Sequence, residues 1–136
     1  MLLQLHTGQV EGFHESQGRI VYLVSSAQDI VVSGAGFVFS DGHALAAYTE
    51  WFDDLANLNQ IDWDTVYTRR WNDDAEHMDR QRRKQAEFLV YQTCAWRLIS
   101  EIAVLDAATK LEVEAILQRY PHAHQPPVNV HREWYY

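Results

Sequence analysis

The sequence predicts an α+β fold: a single mixed domain with a central β-sheet of about six strands and two to three helices. The chain has 136 residues, which suffice for one compact domain with a hydrophobic core but are few for two. Short apolar runs rich in Val, Ile, Phe and Tyr recur along it, a pattern typical of strands. Two other segments repeat apolar residues at three- and four-residue spacing, which indicates amphipathic helices.

The first forty residues contain three candidate extended segments. Residues 20–25 (IVYLVS) form a β-branched apolar run that begins shortly after Gly18 and is followed by polar residues. Residues 30–32 and 37–39 lie on either side of residues 33–36 (SGAG). Because this glycine sequence joins two extended runs and does not open a helix, we interpret it as a turn and not as a phosphate-binding loop.

A helix and a long loop are predicted next. Asp41 can cap a helix that begins near His43 and ends near Asn57. Its apolar face would be formed by Ala44, Tyr48, Trp51, Phe52 and Leu55. Residues 58–79 show no periodicity and interleave tryptophan, arginine and aspartate. Loops of this length in compact domains are usually functional or disordered, and the tryptophans favour an ordered loop.

In the second half of the chain, the sequence predicts two strands, a helix and a final strand. Residues 86–91 alternate in polarity, which places Glu87 on a strand, and residues 102–105 form a further apolar run. Thr109 and Glu112 fit a capping box that would open a helix, and Pro121 would end it. The buried stripe of that helix would consist of Val113, Ile116, Leu117 and Tyr120. A terminal strand is predicted over residues 127–136.

Charge is distributed unevenly. The net charge of −8, taken alone, disfavours sequence-independent binding to nucleic acid, because a phosphate backbone attracts positive surface. Six of the eleven Lys and Arg residues nevertheless lie within residues 69–84. A local basic face on an acidic protein would favour a short or single strand, but composition alone favours a solvated helical face of mixed charge.

The cysteine content and the N-terminal sequence bear on location. The single cysteine, Cys94, excludes a disulfide within the chain and fits a reducing cytoplasm. The N-terminal residues lack the charged region and cleavage site of a secretory signal, and the apolar runs are too short to span a membrane. We therefore expect a cytoplasmic protein that makes no membrane contact.

Glu87 is the strongest candidate for chemistry, because it follows the cations Arg80, Arg82, Arg83 and Lys84 and lies on a predicted strand. Such a carboxylate can stabilise a developing cation or accept a proton, or it can form a structural ion pair with an arginine. The loop aromatics beside Arg69 and Arg70 can stack on unpaired bases or can anchor the loop in the core.

The remaining candidates are weaker. No metal site is predicted, since the histidine pair at 122 and 124 lacks further ligands in sequence. Cys94 has no adjacent base that would activate it as a nucleophile.

Five segments together resemble the DarT-like DNA ADP-ribosyltransferase toxins. They are residues 20–24 (IVYLV), 37–44 (FVFSDGHA), 58–63 (LNQIDW), 82–90 (RRKQAEFLV) and 133–136 (EWYY), in the order in which the family has them. The resemblance implies an ADP-ribosyltransferase-like fold and an enzyme that takes NAD⁺, releases nicotinamide and attaches ADP-ribose to a base, typically thymine, in single-stranded DNA. It also implies a toxin–antitoxin pair in which the partner is a DarG-like macrodomain antitoxin.

The resemblance also assigns residues. Glu87 matches the family's catalytic glutamate, and Asp41 and His43 lie in a motif near the active site without an assigned role. Helix capping stays the alternative for Asp41. The segment from about residue 48 to 84 corresponds to the substrate-recognition loop. Its candidate DNA-binding residues are Tyr48, Arg69, Arg70, Trp71, Arg82, Arg83 and Lys84.

The beginning of the chain departs from the family pattern. Residues 1–8 align with the middle of the family's catalytic domain, so we expect the preceding NAD⁺-binding elements and a catalytic arginine to be absent from this chain. The alternative function is therefore a catalytically inactive remnant that binds single-stranded nucleic acid or a protein partner.

Overall fold

The computed structural model describes Gly12 and residues 16–135, and the expectations for residues 1–8 lie outside this part. Its strands are β1 (Tyr22–Val24), β2 (Phe37–Ser40), β3 (Trp51–Phe52), β4 (Phe88–Val90), β5 (Glu101–Val104) and β6 (Val128–Val130). Its helices are α1 (Ala27–Val32), α2 (Trp63–Tyr67), α3 (Arg80–Arg83) and α4 (Ala107–Leu117). Short 3₁₀ helices lie at Gln17–Arg19, Leu55–Gln60, Trp96–Leu98 and Arg132–Trp134.

The predicted α+β class is confirmed, but the strands form two sheets and not one. The sheet orders are β1-β5-β6 and β3-β2-β4 within the described residues. Backbone contacts divide the chain into two compact units, each of which holds one sheet. We call Met1–Ser26 with Ala95–Tyr136 the terminal unit and Ala27–Cys94 the central unit. No helix in the described part of the chain is long and apolar enough to span a membrane.

The terminal unit is organised around β5. This strand pairs antiparallel with β1 and parallel with β6, and all of Ile102, Ala103 and Val104 are buried. A central strand covered on both faces is expected to be a continuous apolar run, which is what the sequence shows here. Ile99 and Val128 complete the core, and the apolar side of α4 packs against it.

Helix α4 begins three residues earlier than a capping box at Thr109 predicts. The Asp106 carboxylate accepts a hydrogen bond from the Thr109 N–H at 2.8 Å, so Asp106 is the N-cap and the predicted capping box at Thr109 is wrong. The helix ends at Leu117, before Pro121. Ile116 and Tyr120 are exposed, so only Val113 and Leu117 of the predicted stripe pack against the core.

The C-terminal segment is a short strand followed by a turn. Strand β6 covers only Val128–Val130, so the predicted strand over residues 127–136 is too long. The backbone then turns, and the Tyr135 hydroxyl donates to the Ile20 carbonyl at 2.9 Å. The Tyr22 hydroxyl donates to the Trp134 carbonyl at 2.9 Å, and its ring packs edge-on against both Trp134 and Tyr135.

The central unit differs from its prediction near its start. Residues 30–32, predicted as a strand, belong to α1. Their β-branched side chains favour strands, but the helix is closed by Gly34 at φ +76°, and the Ser33 hydroxyl donates to the Ile30 carbonyl at 2.7 Å. Residues 33–34 therefore form the predicted turn, with glycine in the left-handed conformation common after helix ends.

The helix predicted from His43 to Asn57 is absent. Residues 43–50 form turns, and Trp51–Phe52 form β3, which pairs with β2 through Phe39 and Phe52. The aromatic residues that suggested a helical face thus serve a strand pairing, and Phe39 is buried between Phe52 and Phe88. Long-range pairing outweighs local periodicity in so short a segment.

Residues 58–79, predicted as an ordered loop, consist mainly of turns, bends and irregular backbone and contain the short helix α2. The Asp62 carboxylate accepts from the Thr65 N–H at 3.1 Å and caps this helix. The strand predicted over residues 86–91 is confined to Phe88–Val90. Glu87 therefore lies immediately before β4 and not within it.

Candidate active site and nucleic-acid interface

Glu87 has a fixed backbone and an unpaired side chain. Its N–H donates to the Ser40 hydroxyl at 3.2 Å, and its carbonyl accepts from the Ser40 N–H at 2.9 Å. The side chain is exposed, and within the described residues its carboxylate makes no hydrogen bond or ion pair. The structural ion pair that the sequence left open as an alternative is therefore absent from this part of the chain.

Ser40 connects Glu87 to the loop that follows β2. The buried Ser40 hydroxyl donates to the Gly42 carbonyl at 2.7 Å while it accepts from Glu87. Neighbouring Asp41 is held to the other side of the loop, since its N–H donates to the Glu50 carbonyl at 3.2 Å and its carboxylate accepts from the Glu50 N–H at 2.9 Å. Asp41 does not cap a helix, because none begins here.

Hydrogen bonds connect His43 to Arg82, Thr49 and Leu45. Its N–H donates to the Arg82 carbonyl at 2.9 Å, and its own carbonyl accepts from the Thr49 hydroxyl at 2.7 Å. The ring nitrogen Nδ1 accepts from the Leu45 N–H at 3.0 Å, which leaves the proton of a neutral ring on Nε2. Asp41 and His43 thus lie one hydrogen bond from the same arginine, as neighbours in the loop that Ser40 ties to Glu87.

Arg82 is an internal ion-pair centre. Its Nη1 and Nη2 atoms donate to the two carboxylate oxygens of Asp41 at 2.8 and 3.0 Å, and its Nε donates to Asp79 at 2.9 Å. Burial alone would raise the pKa of Asp41, but the hydrogen bond from Arg82 lowers it below its usual 3.8. For Asp79 the hydrogen bond from Arg82 is the largest effect, and it lowers the pKa.

The other cations of the predicted anion-binding run are also engaged. Arg80 is buried and donates to the Asp74 carboxylate at 2.7 Å. Arg83 donates to the carboxylates of Asp62 at 2.9 Å and Asp79 at 3.2 Å, although 46% of its side chain stays exposed.

Among the residues that the structure describes, Lys84 forms no ion pair with a carboxylate. Its ammonium donates to the carbonyls of Val66 at 2.9 Å, Thr65 at 3.4 Å and Thr68, at the C-terminal end of α2. Burial lowers the pKa of Lys84, and the ammonium lies 5.0 Å from the centre of the Trp71 ring. This cation–π contact holds the Trp71 ring against Lys84 within the central unit.

Arg69 and Arg70 differ from these cations. Both are exposed, and neither side chain makes an ion pair or hydrogen bond within the described residues. They follow an exposed pair of stacked rings, Trp63 and Tyr67, whose centres are 5.9 Å apart. Tyr48 is exposed too, with its ring 4.9 Å from the Arg82 guanidinium carbon and its hydroxyl donating to Asp79 at 3.1 Å.

Several residues of this arrangement were not predicted from the sequence, among them Ser40, Gly42, Asp62 and Asp79. Asp79 was detectable, because it lies three and four positions before Arg82 and Arg83, which is the spacing of helical ion pairs. Asp62 pairs with Arg83 across twenty-one positions, and no local pattern indicates such a contact.

The histidines and cysteine form no second site in the described residues. His124 Nε2 lies 2.7 Å from the Ile99 carbonyl, and His131 contacts two glutamates in the terminal unit. Cys94 is exposed and unpaired with another cysteine. Across the described part of the chain, no three His, Cys, Asp or Glu residues are grouped so as to hold a metal ion.

Comparison with known proteins identifies the family. A sequence model described as ssDNA thymidine ADP-ribosyltransferase, DarT, matches residues 1–136. A DNA ADP-ribosyl transferase of Thermus aquaticus is 40% identical over all 136 residues, which correspond to 58% of its own length. The structure of Thermus sp. 2.9 DarT in complex with NAD⁺ matches 99% of this chain at 38% identity and a TM-score of 0.92, with 66% of that protein covered.

The same Thermus sp. 2.9 protein in complex with ADP-ribosylated ssDNA gives an equal TM-score of 0.92, with 63% of that protein covered. The chain thus spans about three fifths of the length of the relatives it matches. On the match along its whole length, the chain belongs to the DarT family of ssDNA thymidine ADP-ribosyltransferases.

Proposed function

We propose that the chain takes part in NAD⁺-dependent ADP-ribosylation of a base in single-stranded DNA, and that this base is thymine, as the description of the family states. The observation that carries the proposal is the state of Glu87. Its backbone is held by Ser40, while the cations that precede it pair with aspartates and carbonyls and leave its carboxylate unpaired within the described residues. The Thermus sp. 2.9 relative, solved with NAD⁺ and with ADP-ribosylated ssDNA, supports the same activity.

The proposed chemistry needs a carboxylate of this kind. The bond between nicotinamide and ribose breaks, and nicotinamide leaves with the bonding electron pair. The base forms the new bond to the same ribose carbon and loses one proton. Because positive charge develops on the ribose, an ionised Glu87 beside that sugar would lower the barrier electrostatically, and it can also accept the proton of the base.

For DNA contact, we propose Arg69 and Arg70 as the phosphate-binding residues. Both guanidinium groups are exposed and unpaired within the described residues, whereas the Arg82 side chain is 10% exposed and Lys84 donates to three carbonyls. Arg83 is half-exposed and is a secondary candidate. Tyr48 and Trp71 are aromatic candidates of the same segment, although each already contacts a cation.

The decisive test is transfer of ADP-ribose to an oligonucleotide. The chain is incubated with NAD⁺ and single-stranded oligonucleotides that contain or lack thymine. The masses of the intact oligonucleotides are then measured by mass spectrometry. We expect an ADP-ribose adduct on thymine-containing strands, and its loss in Glu87→Gln. Glu76→Gln is the matched control, since Glu76 is an exposed loop glutamate. A folded chain that modifies no strand, or an unchanged Glu87→Gln variant, would contradict the proposal.

A second candidate function is binding of single-stranded nucleic acid without catalysis. The exposed Arg69 and Arg70, with the stacked rings of Trp63 and Tyr67 just before them in sequence, favour it. It predicts salt-sensitive binding that weakens when both arginines are replaced by glutamine and that does not change in Glu87→Gln.

The partner and location follow from the family and are part of the proposal. We propose a cytoplasmic toxin whose partner is a macrodomain antitoxin. A purified macrodomain protein encoded beside the chain's gene is expected to remove the adduct from the oligonucleotide. Persistence of the adduct would contradict this pairing.

A further inference from the structure

We propose that Arg82 is a positioning residue for the transfer reaction and does not bind a DNA phosphate. This inference rests on the proposed function, because it concerns the groups around Glu87. It reverses the interpretation that the sequence favours, in which Arg82 belongs to an anion-binding surface.

The first argument is that the guanidinium has no donor left for a ligand. Nη1 donates to Asp41 at 2.8 Å and to the Thr49 hydroxyl at 3.4 Å. Nη2 pairs with Asp41 at 3.0 Å and Asp79 at 2.8 Å, and Nε is taken by Asp79. A phosphate would therefore have to displace a carboxylate from a charge-assisted pair, which is stronger than a neutral hydrogen bond.

The second argument is that the loop backbone is shaped around this side chain. A Cβ atom at Gly42 would lie 2.4 Å from Arg82 Nη1 and 2.9 Å from both its Cγ atom and its carbonyl oxygen. Any side chain at position 42 must therefore shift Arg82 or the loop. Glycine is required here by close approach, since Gly42 is not among the glycines with positive φ.

The third argument is that contacts connect Arg82 to His43 and, through Gly42 and Ser40, to Glu87. Its carbonyl accepts the His43 N–H at 2.9 Å, and Thr49 links the guanidinium to the His43 carbonyl. Gly42 accepts from the Ser40 hydroxyl, which in turn accepts from the Glu87 N–H. Displacement of Arg82 would move the loop of residues 41–43 and, through Ser40, the start of β4.

Such displacement is expected to reduce the rate of the chemical step more than it reduces binding. A misplacement of about 1 Å in a catalytic constellation can cost about 100-fold in rate. Because Arg82 makes no phosphate contact in this proposal, its replacement leaves the number of counterions released on DNA binding unchanged.

The experiment compares Gly42→Ala, Arg82→Lys and Arg70→Gln with the unmodified chain. Gly42→Ala is the most informative, because it keeps every charge and disturbs only the packing against Arg82. We expect Gly42→Ala and Arg82→Lys to lower kcat on the order of 100-fold, with KM changed about twofold or less and the salt dependence of oligonucleotide binding unchanged. Lysine should not rescue, since it cannot reproduce a bidentate pair. Arg70→Gln should instead reduce the salt slope by about 0.7.

Amide hydrogen exchange gives a readout that does not depend on activity. Faster exchange at residues 42–50 and at Glu87 is expected in Gly42→Ala and Arg82→Lys, with the rate in the terminal unit unchanged. If the unmodified chain forms no adduct, the proposed function fails, and the exchange data still decide the role of Arg82. Unchanged exchange, full activity in Gly42→Ala, or a reduced salt slope in Arg82→Lys would overturn the inference.

Discussion

The two units of the chain are stabilised in different ways. The terminal unit has an apolar core in which Ile99, Ile102, Val104 and Val128 are buried. The central unit buries Phe39 and Ile61, but it also buries Arg80 and holds three further cations against its own carboxylates and carbonyls. Charge that appears in the sequence as a ligand-binding surface is thus mainly internal structure in the central unit.

This difference matters for function because internal pairing separates cations from the catalytic candidate. Buried or half-buried ion pairs contribute little net stability, since desolvation offsets the attraction, but they fix geometry when every partner is hydrogen-bonded. In the central unit the aspartates form ion pairs with Arg82 and Arg83, and the Glu87 carboxylate stays exposed. We therefore expect truncation of a buried apolar side chain to destabilise the terminal unit. We expect removal of a paired charge to destabilise the central unit.

The largest effect is expected from truncation in the apolar core. Ile102 is 2% exposed, so Ile102→Ala should lower the free energy of unfolding by about 2–5 kcal/mol through lost burial and a cavity. The change should not depend on salt, because no charge is involved. Denaturant unfolding measures the change in the free energy of unfolding, and amide hydrogen exchange shows which residues it affects.

Leu111→Ala is the matched control, because Leu111 is 68% exposed on α4. It should change stability by about 0.5 kcal/mol or less. Equal losses in the two variants would show that the terminal unit is not organised around β5.

A smaller loss is expected when the ammonium of Lys84 is removed. Lys84→Met keeps the aliphatic length but leaves the carbonyls of Val66 and Thr68 without their donor, which should cost about 1–3 kcal/mol. The loss should be confined to the central unit and should appear as faster amide exchange in α2. Lys110→Met is the control, since Lys110 makes only an exposed pair with Glu114 at 3.7 Å.

Acid should weaken the central unit through its aspartates. The pKa values of Asp41, Asp62 and Asp79 are lowered below 3.8, so their stabilising contribution is present above that pH and is lost as the pH falls through the lowered values. Asp79→Asn should weaken the unit already at neutral pH and make its acid transition shallower, as followed by tryptophan fluorescence. An acid profile identical to that of the unmodified chain would contradict the pairing with Arg82 and Arg83.

The sequence predicts the terminal unit better than the central one, for a physical reason. Strand β5 is recognisable because apolar burial leaves a continuous run of residues, and α4 because its apolar residues recur at helical spacing. The misplaced start of α4 arose from two possible caps three residues apart, Asp106 and Thr109. Patterns of apolar residues are local, so they can be recognised from sequence alone.

In the central unit the determining contacts are polar and distant in sequence. Asp41 meets Arg82 across forty-one positions, and nothing near either residue indicates this partner. The predicted helix over residues 43–57 fails because Trp51 and Phe52 pair with β2 instead. Glu87 could be singled out from its segment, but the fact that its neighbours pair elsewhere required the three-dimensional arrangement.

The smallest effect tests whether the terminal unit also contains a charge-dependent element. His131 lies 2.7 Å from Glu101 and 2.9 Å from Glu133, and its ring stacks on Trp134 at 4.3 Å. The hydrogen bonds with Glu133 and Glu101 raise the pKa of His131 above 6.5. The contribution of these pairs to stability is therefore fully present below pH 6.5 and is lost as the pH rises through the raised pKa.

We expect a small decrease in the stability of the C-terminal segment over that pH range, visible in the exchange of amides near Trp134. It should be small because Glu133 is exposed and Glu101 and His131 are only partly buried, so that solvent screens the pairs. His131→Gln should remove the pH dependence while Ile102→Ala keeps it, because the apolar core carries no titrating group. A pH dependence that persists in His131→Gln would show that another group titrates. The pairs of His131 would then not be the charge-dependent element of the terminal unit.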